Sequence, residues 1–176
     1  MTYTPEQISQ IVLKILKEVE EPDVSRLSDG EKIELAENPN TPQELLKILA
    51  TDEYWFVRRR VAQNPNTSQE TLRILATDKD SYVRCGVARN QNTSQELLKI
   101  LATDKDSTVR FYVARNKNTS QETLRILATD KDSDVRDSAK ENPNYKKQTL
   151  ELTSVQYDAL KKLIESGQDE VLKGIL

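Results

Sequence analysis

Apolar positions in this chain come in short clusters that return at a fixed interval. From Asn38 a polar turn, Asn38-Pro39-Asn40-Thr41, leads into Leu46, Ile48, Leu49 and Ala50. A polar break at Thr51-Asp52 follows, and Val57 with Val61-Ala62 closes the unit. Nearly the same residues recur from Asn64, Asn90 and Asn116, and Asn142-Pro143-Asn144 opens a fifth copy. The interval is 26 residues each time. A fixed period of this size is the mark of a solenoid, in which each unit hides its apolar face against the next.

Each unit predicts two short helices. Thr41, Thr67, Thr93 and Thr119 stand before the first, where a threonine side chain can cap free N–H groups. The glutamate early in that helix complements the positive end of its dipole. The second helix carries Val57-Arg58 and Val61-Ala62 and stops at Asn64-Pro65-Asn66, since proline ends helices and asparagine suits turns. The pattern leaves open whether this second helix is α or 3-10. Helices this short do not stand alone in water. Stacking of the Leu46, Leu49, Val57 and Val61 columns must supply their stability.

The ends depart from the period. Residues 4–20 predict an amphipathic helix with Thr4 as N-cap, Pro5 in the first turn and Gln7 completing a capping box. Ile8, Ile11, Val12, Ile15, Leu16 and Val19 form one stripe, and Pro22 ends the helix. The stripe reads as a cap over the first repeat or as a site for a partner helix. Residues 28–37 read as the second half of a degenerate repeat, with Leu35-Ala36 in the place of Val61-Ala62 and Lys32 in the place of Arg58. After Tyr145 the period is lost. Leu150 and Leu152 suggest an extended piece or a vestigial helix. Thr153 or Ser154 then caps a helix with Val155, Ala159, Leu160, Leu163 and Ile164 inward, ended by Gly167. Val171, Leu172, Ile175 and Leu176 leave this end as a C-terminal cap or a homodimer contact. The chain thus divides into a helical cap and half repeat (1–37), four full repeats with the start of a fifth (38–144), and a C-terminal helical cap (145–176).

Composition supports this picture. Only 36% of residues are hydrophobic and 31% are charged, too little apolar content for one central core but enough for a stack. The net charge of −3 gives no bulk attraction to nucleic acid or anionic membrane. The first three full repeats each sum to +1 and the fourth to −1, while residues 1–37 sum to −5. No apolar run reaches the roughly 18 residues of a membrane span. The N-terminus lacks a signal pattern, and Cys85 is the one cysteine, so a soluble, cytoplasmic protein is expected. There is no histidine and no glycine-rich phosphate loop, which removes Ser/His and Cys/His pairs and the usual zinc sites. No catalytic residue, metal or cofactor is expected.

The repeated motif, Leu-Leu-x-x-Leu-Ala-x-Asp followed by Val-Arg-x-x-Val-Ala-x-Asn-Pro-x-Thr-Pro, resembles the leucine-rich repeat variant family, a HEAT-like type of repeat. The resemblance covers 38–144. It implies an all-α, right-handed superhelix of α and 3-10 or short α helices. It also implies that the second helices line the concave face. The family's first described member joins such repeats to a cysteine-bound iron–sulfur cluster. Cys85 alone cannot ligate a cluster that takes four thiolates, so that cofactor does not carry over.

Two kinds of polar column remain. Asp52, Asp78, Asp104 and Asp130 repeat, as do Arg58, Arg84, Arg110 and Arg136, each arginine six residues after its aspartate. A structural ladder of arginine–aspartate contacts between repeats is the expectation, with a ligand role as the alternative. The Asn38 and Asn40 columns are expected to satisfy backbone groups in the turns.

Other columns change while their neighbours repeat: Phe56/Tyr82/Thr108/Asp134, Arg59/Cys85/Phe111/Asp137 and Arg60/Gly86/Tyr112/Ser138. Aromatics and arginine are enriched in binding hot spots. Phe56, Arg59, Arg60, Tyr82, Phe111 and Tyr112 are therefore the candidate residues for a protein or peptide partner, on a groove basic at one end and acidic at the other through Asp132, Asp134 and Asp137. Packing is the competing role for Tyr112 and for Trp55. A nucleic-acid partner along Arg58, Arg84 and Arg110, with Arg59, Arg60, Arg89 and Arg115, is the alternative function, and a plain spacer is a third.

Overall fold

Short helices with one apolar edge have no stable form except side by side, and the computed structural model shows that arrangement. It describes residues 4, 7, 8, 10, 11, 24–146 and 154–165. One compact unit spans Met1–Lys146 and a second spans Lys147–Leu176. Among the described residues all regular structure is helical. The helices are α1 (Asp29–Glu37), α2 (Gln43–Leu49), α3 (Trp55–Gln63), α4 (Gln69–Leu75), α5 (Ser81–Arg89), α6 (Gln95–Leu101), α7 (Ser107–Arg115), α8 (Gln121–Leu127), α9 (Ser133–Glu141) and α10 (Ser154–Glu165). The second helices α3, α5, α7 and α9 are nine-residue α-helices, which settles the choice between α and 3-10. Each packs against its counterparts in the neighbouring repeats, in the order α1, α3, α5, α7, α9. This is an all-α solenoid.

The core is a set of columns. Leu46, Leu49, Val57 and Val61 are fully buried, as are their counterparts Leu72, Val83, Val87, Leu98, Val109, Val113 and Leu124. Burying one such side chain contributes roughly 1.5–3 kcal/mol. The isoleucine column does not join them. Ile74, Ile100 and Ile126 are about half exposed, because they lie on the opposite side of a seven-residue helix from its buried leucines. The buried place beside Leu46 belongs to Leu45, with Thr71, Leu97 and Thr123 in the copies.

The threonine column also differs from expectation. The first helices are capped by Ser68, Ser94 and Ser120, whose side chains accept from Thr71, Leu97 and Thr123 N–H. Thr41, Thr67, Thr93 and Thr119 are buried, and each hydroxyl donates at 2.6 Å to a carbonyl six residues back, on Leu35, Val61, Val87 or Val113. They seal the end of the preceding second helix, where carbonyls lack intrahelical partners. Asp80, Asp106 and Asp132 cap α5, α7 and α9.

At the N-terminus the capping box is present, with Thr4 N–H donating to Gln7 Oε1 at 2.7 Å and Gln7 N–H to Thr4 Oγ1 at 3.3 Å. Ile8 and Ile11 are partly buried on the core. Val12, Ile15, Leu16, Val19 and Pro22 lie outside the described residues. In the second unit, α10 exposes Tyr157, Ala159 and Leu163, so Ala159 and Leu163 are not inward-facing. Leu150, Leu152, Gly167 and residues 168–176 lie outside the described residues, as do the side chains of Val155, Leu160 and Ile164.

Gly86 sets one helix–helix distance. A Cβ there would stand 2.9 Å from Ala62 Cβ and 3.1 Å from the Arg59 carbonyl oxygen. Neither neighbour can move without its backbone, so α3 and α5 approach closely only because position 86 has no side chain. Gly86→Ala gains about 1 kcal/mol of helix propensity but overpacks this seam, which costs about 1–3 kcal/mol. A net loss of stability is expected, read as a lower urea midpoint.

Candidate functional site

The two repeated polar columns form ladders. Arg58 Nε and Nη2 donate to the Asp78 carboxylate at 2.6 and 2.9 Å, across one repeat. Arg84 does the same to Asp104 at 2.7 and 2.9 Å, and Arg110 to Asp130 at 2.7 and 2.8 Å. The third nitrogen, Nη1, turns back to the carbonyls of residues 52 and 53, 78 and 79, or 104 and 105. The aspartate of an arginine's own repeat thus supplies a backbone carbonyl, and that of the next repeat supplies the carboxylate. Lys32 makes the first rung with Asp52 at 2.8 Å. Arg136 ends the column: among the described residues it donates only to the Asp130 and Lys131 carbonyls.

These rungs hold their charge. Burial pushes the Asp78 and Asp104 carboxyls up, but the arginine hydrogen bonds, a backbone N–H and the arginine charge outweigh it and leave both below the usual value. For Asp130 the Arg110 hydrogen bond is the leading cause and again lowers it. A carboxylate with a depressed folded pKa stabilises the fold fully above its unfolded value, about 4, and loses that contribution as pH falls through the folded value. The melting temperature is therefore expected to stay level from neutral to about pH 5 and to fall below about pH 4, as calorimetry across that range would record.

Beside this ladder runs a second one of asparagine. Asn64, Asn90, Asn116 and Asn142 are buried. Each Nδ2 donates to two carbonyls of the preceding repeat, as Asn90 does to Ala62 O at 2.8 Å and Asn64 O at 2.9 Å. Its Oδ1 accepts the N–H two residues on, at Asn92, so both amide donors and the amide oxygen are engaged. Asn38 and Asn40 show the turn half of this pattern, with Asn40 N–H on Asn38 Oδ1.

The variable columns are placed differently. Phe56, Arg59, Arg60, Phe111 and Tyr112 are half-buried, and Tyr82 is 57% exposed. They form two aromatic groups. In the first, Trp55 meets Phe56 edge-on at 5.5 Å and lies 5.3 Å from Tyr82 of the next repeat. Trp55 therefore bridges to the second repeat. In the second group Phe111 and Tyr112 meet edge-on at 5.3 Å. Cys85 and Gly86, from the same columns, are buried. Burial, followed by the charges of Asp106 and Asp104, pushes the Cys85 thiol up to about 11, which leaves it protonated at neutral pH.

Arginines rest on these rings. Arg60 lies 4.6 Å from the Phe56 centroid, Arg89 4.9 Å from Tyr112 and Arg115 5.5 Å from Phe111. Arg60 Nε also stands 2.9 Å from Glu37 Oε1, an ion pair off the line of a hydrogen bond. Arg59, Arg60, Gln63 and Arg89 line a recess of about 360 Å³ between α3 and α5. A larger recess of about 690 Å³ borders Asp52, Arg58, Asp78 and Lys79, where the arginine is already paired.

One further column borders the groove: Glu37, Gln63, Arg89, Arg115, Glu141, of which only Arg89 and Arg115 stand out in the sequence, as part of a nucleic-acid surface. It varies as the others do. It occupies the last residue of each second helix.

No helix among the described residues is long and apolar enough to cross a membrane. Neither the curated proteins nor the solved structures compared with the chain include a significant match. A family model described as Leucine rich repeat variant matches residues 55–80 and 108–132, each close to the length of one repeat. Two units of the solenoid are thus similar to the leucine rich repeat variant type.

Proposed function

We propose that this protein is a non-enzymatic scaffold that binds a protein or peptide on the face of its second helices, through Phe56, Arg59, Arg60, Tyr82, Phe111 and Tyr112. The observation that carries this reading is a division of labour among arginines. Arg58, Arg84 and Arg110 are buried and committed to aspartates. Among the described residues Arg59, Arg89 and Arg115 show no carboxylate partner, and two of them lie on aromatic rings. Partly exposed aromatic–arginine groups are what interface hot spots are made of.

The same division weighs against nucleic acid. The column that would have tracked phosphates is occupied by carboxylates. A protonated, buried Cys85 gives no nucleophile at neutral pH, in keeping with a binding role. Its solitary thiol suits a cytoplasmic setting.

The test is selection from a display library of random peptides of about a dozen residues, on wild type and on an Arg59→Ala/Arg60→Ala/Tyr112→Ala variant shown to melt cooperatively. The reading expects sequences enriched on wild type and lost on the variant. Equal enrichment of the same sequences on both would remove this face from the account.

A further inference from the structure

The three central second helices, α3, α5 and α7, contain no acidic residue. Once the ladder arginines are set aside, they carry Arg59, Arg60, Arg89 and Arg115. Among the described residues, only Arg60 of these four meets an acid, Glu37. The cationic strip is bounded on one side by Glu37 and on the other by Asp134, Asp137 and Glu141, all exposed. A ring under a guanidinium fixes its position without neutralising its charge. Arg60, Arg89 and Arg115 are held in this way, so less side-chain entropy is lost when they meet an anion. The recess walled by Arg59, Arg60, Gln63 and Arg89 can hold a side-chain carboxylate with amide and guanidinium donors around it.

Resting on the proposed binding role, we infer that the occupant of this face is an acidic peptide segment, with its carboxylates on Arg59, Arg89 and Arg115 and an aromatic or aliphatic side chain against Tyr82 or Phe111. Adjacent helix axes lie about 8–10 Å apart, so the strip from α3 to α7 is roughly 20 Å wide. An extended chain crosses that width with about six residues. The acidic stretch is therefore short, and neutral or basic residues flank it where Glu37 and Asp134 stand.

Fluorescence anisotropy with three labelled peptides tests this. Each has six central residues and one tyrosine, the remaining central positions being glutamate, glutamine or lysine. A single-stranded oligonucleotide serves as a fourth probe. The glutamate peptide is expected to bind most tightly, and Arg59→Glu/Arg89→Glu to weaken it by about tenfold or more. Arg73→Glu/Arg125→Glu, the same change of net charge at exposed positions of α4 and α8, is expected to leave it nearly unchanged, which separates the site from net charge. Arg59→Gln/Arg89→Gln with an unaltered melt guards against a folding artefact.

Preference for the glutamine or lysine peptide, lost in the Tyr112→Ala variant, overturns the acidic assignment and keeps the face. Binding of no peptide, or peptide binding indifferent to every variant, overturns both. An oligonucleotide that binds more tightly than the glutamate peptide and is lost in Arg59→Glu/Arg89→Glu gives the face to nucleic acid.

Discussion

Arg84→Ala is expected to lower stability by about 3–5 kcal/mol, the range for removing one partner of a buried ion pair. Arg84 is 6% exposed and makes four hydrogen bonds, two to the Asp104 carboxylate and two to the Asp78 and Lys79 carbonyls in the loop between α4 and α5. Its loss strands a carboxylate with only 9% side-chain exposure beside unpaired carbonyls. Arg136→Ala is the internal comparison. It sits in the same column, is only half-buried, and has no aspartate opposite it among the described residues. A loss of about 1 kcal/mol or less is expected there, as for a partly exposed hydrogen-bonding side chain. Urea denaturation of the two variants measures the difference. Arg84→Lys falls between them, because an ammonium replaces the fork with a point charge, as Lys32 does on Asp52.

Asn90→Asp changes one atom and is expected to cost about 3 kcal/mol or more at neutral pH. The amide N–H groups that met the Ala62 and Asn64 carbonyls become a carboxylate oxygen facing them. Burial and carbonyl neighbours both disfavour the charged form, so this carboxyl has a folded pKa above its unfolded one. The sign follows: its protonated form is favoured in the fold, and stability is lost as pH rises through the folded pKa. The deficit relative to wild type therefore shrinks on acidification, while the native aspartate rungs move the other way. Chemical denaturation of both proteins at neutral pH and near pH 5 reads this difference. A deficit independent of pH would mean that the site is open to water.

Most of the fold was legible because the chain contains its own copies. The interval gave the repeat, and the valine and leucine columns gave the core. Side-chain direction was less legible. Ile74 and Leu75 are equally apolar, yet a seven-residue helix has room to bury only one edge. Thr67 and Ser68 are both capping residues, and only backbone geometry decides that serine caps the helix ahead while threonine closes the helix behind.

For the polar columns, periodicity pointed to contacts between repeats. It did not reveal that Arg58 reaches forward to Asp78 while holding the carbonyl of Asp52. The variable face divides similarly. Its aromatics and Arg59 and Arg60 stand out in sequence. In the sequence Arg89 and Arg115 are only part of an arginine surface; the structure sets Arg89 beside the recess where α3 and α5 close up at Gly86, and Arg115 on the Phe111 ring.

We propose that the constant columns hold the stack and leave the variable arginines and Tyr82 for a partner. An alanine scan of protease resistance measures it directly, with every variant read for folding stability alone. The account predicts large losses at Arg58, Arg84, Arg110, Asn64, Asn90 and Asn116, and losses of about 1 kcal/mol or less at Arg59, Tyr82, Arg89 and Arg115. Losses at those four positions as large as those of the ladders would make them packing residues, and the binding face would have to be sought elsewhere.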